Sequence, residues 1–102
     1  MSVQHVNAAR FAELIRGDKP VLLDFYADWC GPCRMLAPVI EEIAAEHPEI
    51  EVGKVNVDEE AELAARFGIS SIPFVALIKN GRVAASALGY RPKAALLADL
   101  GL

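Results

Sequence analysis

Cysteine is scarce in this chain: 102 residues hold two, Cys30 and Cys33. A fold stapled together by disulfides is therefore excluded. Histidine is equally sparse. His5 and His47 lie far apart and form no H-x₃₋₅-H pair, so the spacing of a closed four-ligand zinc site is missing. No uncharged stretch approaches the ~18 residues of a membrane helix. The first 20 residues hold no apolar block of signal-peptide length, because Arg10, Glu13 and Arg16 interrupt it. A cytoplasmic protein is the expectation. Positive charge is in deficit, with Lys+Arg 10 against Asp+Glu 14 and a net charge of −4. That balance speaks against nucleic acid or an anionic membrane as the main partner. Repeats, low-complexity segments and linkers are missing too, which leaves a single domain over residues 1–102. What is abundant is apolar: AVILMFWYC residues make up 54%. Disorder is thereby excluded, and a chain this long hides about two-thirds of its unfolded surface.

Alanine occurs often and threonine not at all, which leans the regions between strands towards helix. Val3–Val6 reads as a short strand. Asn7 caps a predicted helix over Ala8–Arg16 that stops at Gly17. Val21–Ala27 reads as a strand buried on both faces, interrupted only by Asp24. The spacing of Leu36, Val39, Ile40 and Ile43 predicts a helix from Gly31 to His47, with Pro32 in its first turn and Pro38 kinking its interior. Glu51–Val57 is a third strand, and Asp58 is expected to cap a helix over Glu59–Phe67. Asn80-Gly81 joins Phe74–Lys79 to Arg82–Leu88 as an antiparallel hairpin. Pro92 opens a last helix docked by Leu96, Leu97 and Leu100. The order βαβαβαββα implies an α/β fold with parallel pairing early and a mixed sheet at the end.

The two cysteines form one C-x-x-C. Apart from zinc, it could be a structural disulfide or a pair of buried thiols. Closing so short a loop removes only about 2 kcal/mol of unfolded-state entropy. The turn-like Gly31-Pro32 between the cysteines works against burying both sulfurs. A redox pair is the favoured reading of the residues alone. Three other residues stay open at this point. Asp24 reads equally as an outward carboxylate or a buried one, Lys54 as a solvated strand lysine, and Pro73 as an ordinary strand-start proline.

Trp29-Cys30-Gly31-Pro32-Cys33 lies between a buried strand and a long helix. Together with Val21–Asp28, Pro38, Lys54-Val55-Asn56-Val57-Asp58, Phe67-Gly68-Ile69, Ile72-Pro73, Lys79-Asn80-Gly81 and Leu88-Gly89, it resembles the thioredoxin family over essentially the whole chain. The resemblance implies a five-stranded mixed sheet flanked by four helices, and a protein-disulfide reductase working by dithiol–disulfide exchange. It implies a redox-active Cys30–Cys33 disulfide with no bound cofactor and no metal. Cys30 would be the nucleophile, at a helix N-terminus that favours its thiolate, and Cys33 the resolving thiol. Asp24 would accept the Cys33 proton, Lys54 would tune Asp24, and Pro73 would be cis. Trp29, Gly31, Pro32, Ile72, Leu88 and Gly89 would form the substrate-binding face, while Tyr26 reads as core. Implied partners are disulfide-containing client proteins and a thioredoxin reductase, either a flavin enzyme fed by NADPH or a ferredoxin-linked one. A monomer is expected.

Oxidising relatives of that family carry a histidine between the cysteines, and its absence here implies, by the same resemblance, a reductant. Three positions depart from the family pattern. Arg34 replaces a lysine, Phe74 a hydroxyl residue and Tyr90 a small one. The last two bear on partner choice and raise the alternative of a specialised reductase for one client. A non-catalytic binding module is a further alternative, against which both cysteines stand.

Overall fold

The computed structural model describes residues 3–102. In chain order they form β1 (Val3–His5), α1 (Ala8–Ile15), β2 (Val21–Tyr26), α2 (Gly31–Glu46), β3 (Glu51–Asn56), α3 (Ala61–Arg66), β4 (Phe74–Lys79), β5 (Arg82–Leu88) and α4 (Lys93–Leu100). The strands make a five-stranded mixed sheet in the order β1-β3-β2-β4-β5. β3 runs parallel to β1 and β2, β4 antiparallel to β2, and β5 antiparallel to β4. The order of elements and the mixed sheet agree with the reading from sequence.

Side-chain alternation splits the core into two layers. Leu22, Val75 and Leu77 face Leu36, Ile40 and Ile43 of α2 and Leu96 and Leu100 of α4. Leu23, Phe25, Ala76 and Ile78 face Phe11 and Leu14 of α1 and Leu63 of α3. β2 is the central strand because its residues Val21–Phe25 are all buried, as its near-continuous apolar run requires. Each large aliphatic side chain so buried contributes roughly 1.5–3 kcal/mol. Asp24 shares the parity of Leu22 and therefore lies on the α2 face.

Local chemistry sets the ends of these elements. The Asn7 Oδ1 accepts the Arg10 N–H at 2.8 Å and starts α1. Asn80 (φ 53°) and Gly81 (φ 75°) both lie in the left-handed region, the requirement of a tight hairpin turn. The hairpin carries a register shift between Leu77 and Ile78. Gly53 permits a close approach of β3 to β1: a Cβ there would overlap the Val6 side chain and lie 3.3 Å from the Gln4 carbonyl oxygen. α2 continues as helix through Pro38.

One expectation is corrected. Asp58 does not cap the third helix, which begins only at Ala61 and has no side-chain cap. Asn56 instead holds the turn that precedes the helix, its Oδ1 accepting the N–H groups of Asp58 at 2.9 Å and Glu59 at 3.2 Å. The resulting turn uses up residues 57–60 and shortens the helix.

Candidate active site

Cys30 is the N-cap of α2, with extended backbone (φ −91°, ψ 110°). Its Sγ accepts the Cys33 N–H at 3.2 Å, and its carbonyl accepts the Arg34 N–H at 3.2 Å. Helix N-termini leave N–H groups without intrahelical partners. Here one of them points at sulfur, where it favours negative charge. Cys30 and Cys33 are joined by a disulfide, their Cα atoms 5.2 Å apart. Pro32 occupies the first turn, where a missing N–H costs nothing.

The sulfur pair sits in a small cluster of its own with Ala27, bordered by Tyr26, Val57 and Ile72. Both cysteines are buried, 5% and 3% exposed, so the Gly31-Pro32 turn does not keep them from burial as expected. The Cys30 Sγ lies 4.0 Å from the Ile72 carbonyl oxygen. The Ile72–Pro73 peptide is cis, and Pro73 accepts the Gly89 N–H at 2.8 Å. Phe74 pairs with Leu88 across the hairpin. Three chain segments, 29–33, 72–73 and 88–89, thus meet around Cys30. Their outer surface is apolar: Trp29 is 69% and Leu88 59% exposed, Pro32 is exposed, and Gly31, Ile72 and Gly89 are half-buried. Beside them Trp29, Val57, Ala64, Ile69 and Ile72 line an open groove of about 310 Å³.

Behind the disulfide is a cavity of about 150 Å³ bounded by Asp24, Tyr26, Arg34, Lys54 and Cys33 among others. Asp24 and Lys54 are neighbours in the β2–β3 register. Asp24 is buried, and its Oδ1 has no hydrogen-bond partner among the described residues. Burial pushes its carboxyl up to about 7, and the Lys54 charge pulls in the opposite direction. The Lys54 ammonium stands 5.8 Å from the centroid of the Tyr26 ring. Burial also raises the Tyr26 phenol above its ordinary value, while the Asn56 side chain opposes this.

The departures from the family pattern have distinct fates. The Arg34 Nη1 donates to the Asp28 carbonyl at 2.8 Å, tying the approach loop to α2. Phe74 is half-buried, its ring 6.2 Å from that of Phe25 and packed against the core cluster on the α1 face. Tyr90 is 40% exposed beside Gly89. Sequence reasoning missed the link from Asp58 to the rim: the Trp29 Nε1 donates to the Asp58 Oδ2 at 2.9 Å. The signal was present in Asn56-Val57-Asp58, because an asparagine that ends a strand accepts the N–H two residues on.

The thioredoxin family model matches residues 2–101. The chain belongs to the thioredoxin family. It is 54% identical over 93 residues to a thioredoxin of Alicyclobacillus acidocaldarius, covering 90% of this chain and 89% of that one. It is 44% identical over 101 residues to the bifunctional thioredoxin reductase/thioredoxin of Mycobacterium leprae, covering 98% of this chain and 22% of that one. A solved thioredoxin structure from Malassezia sympodialis superposes with a TM-score of 0.86 at 36% identity, covering 96% and 90% of the two chains. The chain is a thiol–disulfide oxidoreductase, and its redox centre is the Cys30–Cys33 disulfide.

Proposed function

We propose that this protein reduces disulfide bonds in a range of client proteins, with Cys30 attacking and Cys33 resolving. The observation that supports this order is the position of Cys30. It caps α2 and faces the Ile72 backbone and the Trp29 rim, whereas Cys33 lies one turn deeper beside the Asp24 cavity. In the reduced protein the Cys30 thiolate attacks one sulfur of the client disulfide. A Cys30–client S–S bond forms, the client S–S bond breaks, and the leaving thiolate takes up a proton. Cys33 then gives its proton to the Asp24 carboxylate and attacks the Cys30 Sγ. The Cys30–Cys33 bond forms, the mixed disulfide breaks, and the client leaves with its second sulfur reduced. Two electrons have passed from the cysteine pair to the client.

Asp24 suits that proton transfer because a carboxyl held near 7 exchanges protons readily at neutral pH. Lys54 keeps it from rising further. The Ile72 main chain, beside Cys30, offers a strand-like partner to an extended client segment. Trp29, Gly31, Pro32, Leu88 and Gly89 supply the apolar surround. The sulfur pair itself carries the electrons, so no bound cofactor is required.

The working protein is proposed to be a cytoplasmic monomer re-reduced by a thioredoxin reductase. The fused name of the Mycobacterium leprae relative supports that donor. A narrower client range is the second reading, and Tyr90 on the rim is the observation that favours it.

Trapping tests the order of attack. Cys33→Ser should accumulate mixed disulfides through Cys30, and Cys30→Ser should hold almost no client. Equal capture by both variants overturns the assignment. Identification of the trapped clients separates a general reductase from a specialised one.

A further inference from the structure

Among the described residues, the buried polar side chains are Asp24 and Asn56. The thiol chemistry accounts for Asp24 and leaves Asn56 unexplained. Asn56 ends β3 and is 5% exposed. Its Oδ1 accepts the Asp58 N–H at 2.9 Å and the Glu59 N–H at 3.2 Å. Its main-chain carbonyl accepts the Glu60 N–H at 2.8 Å, and the Val57 N–H is held by the Tyr26 carbonyl at 2.9 Å. Four consecutive N–H groups after the strand are therefore fixed, three of them by one residue. The Asp58 carboxylate projects from this turn to the Trp29 indole, with Oδ2 2.9 Å from Nε1.

This chain of contacts matters because of where it ends. Trp29 is 69% exposed, adjacent to Cys30, and forms one wall of the groove that Ile72 also lines. An indole standing that far into solvent has few neighbours to select one rotamer. A carboxylate on a fixed turn does so from outside the core. Ordering a side chain in advance removes that cost from binding, a factor of about two to ten in affinity.

We infer that Asn56 is a positioning residue for client docking: through the Asp58 carboxylate, its buried amide pre-orders the Trp29 indole beside Cys30. The inference rests on reading the Cys30 face as the client face. Removal of the Asn56 acceptor frees the Asp58 and Glu59 N–H groups to turn to water, and Asp58 loses its fixed origin. The consequence falls on client affinity more than on the sulfur chemistry.

Trp29 is the single tryptophan of the chain, so emission anisotropy and acrylamide quenching report on it alone. The test compares wild type with Asn56→Ala, Asn56→Asp, Asp58→Ala and the Asn56→Ala/Asp58→Ala double variant. Each is assayed on insulin, as a protein disulfide, and on a small aryl disulfide. Asn56→Ala should raise KM for insulin about fivefold, lower Trp29 anisotropy and increase its quenching. The insulin-to-aryl-disulfide ratio of kcat/KM should fall by the same factor. Asn56→Asp keeps an acceptor and should restore all four readings. Asp58→Ala should match Asn56→Ala, and the double variant should be no worse than either. Effects that multiply, a KM change without a change at Trp29, or failure of the aspartate to rescue would overturn the inference. Should Asn56→Ala not fold by circular dichroism, Asp58→Ala and Asn56→Asp decide the matter. Unchanged anisotropy and KM in Asp58→Ala overturn the inference. Turnover of both substrates by wild type, with no effect in any variant, defeats the role of Asn56 alone. A wild type inert towards both substrates defeats the reductase reading with it.

Discussion

Asp24 occupies a site where an aliphatic side chain would strengthen the core. The β2 residues Val21, Leu22, Leu23 and Phe25 around it are apolar and buried, and one of its oxygens has no partner among the described residues. Burial raises its carboxyl to about 7, against an unfolded value near 3.9. A raised folded value means that the unfolded chain releases this proton first. Stability is therefore full below about pH 4, declines as pH rises between the two values, and levels off above about pH 7. Asp24→Ala should raise the denaturation midpoint at pH 8, less the cost of the cavity left behind. That gain should fade towards pH 4, where the wild-type acid is neutral. The same variant should reduce disulfides more slowly, because Cys33 loses its proton acceptor. Denaturant melts at the two pH values, with an insulin-reduction rate beside them, check both parts. A variant that is less stable at pH 8 and fully active would remove Asp24 from the mechanism.

At the scale of elements, the periodic segments and the turn signals were legible in the sequence, and so was the C-x-x-C frame. Asn7 and Asn80-Gly81 behave as their local chemistry dictates, because each acts on a backbone only a few residues away. Asp58 was misread because two acceptors, Asn56 and Asp58, compete for the same N–H groups after β3. The buried one wins and leaves the exposed one free to meet Trp29, 29 residues away in sequence. Phe74 bears on partner choice in the sequence reading, but nothing local says whether a residue beside a proline turns in or out, and its ring packs towards Phe25. Gly53 also needed the structure, since only the β1–β3 pairing puts Val6 and the Gln4 carbonyl over it. Gly53→Ala should therefore cost roughly 1–3 kcal/mol, the range for overpacking. A denaturant melt reads this directly, and a neutral result would mean that β1 can move aside.

At the scale of the whole molecule, the two main core clusters are built apart from the disulfide. The sheet is covered on both faces by helices whose buried side chains belong to two clusters, and the cysteines are in neither. Closing a four-residue loop contributes at most about 2 kcal/mol. Reduction by a chemical thiol should leave the circular dichroism spectrum unchanged and unfolding cooperative, with a loss in unfolding free energy no larger than that figure. A reduced chain that unfolds without cooperativity would contradict this. The same separation of scaffold from chemistry gives the Asn80–Gly81 turn a use. The turn is exposed and follows the far end of β4, whose first residue adjoins Pro73. Strand rise puts about 20 Å between the two ends. A peptide spliced between Asn80 and Gly81 would ride as passive cargo, displayed at one pole while the sulfur pair at the other stays open to its partners.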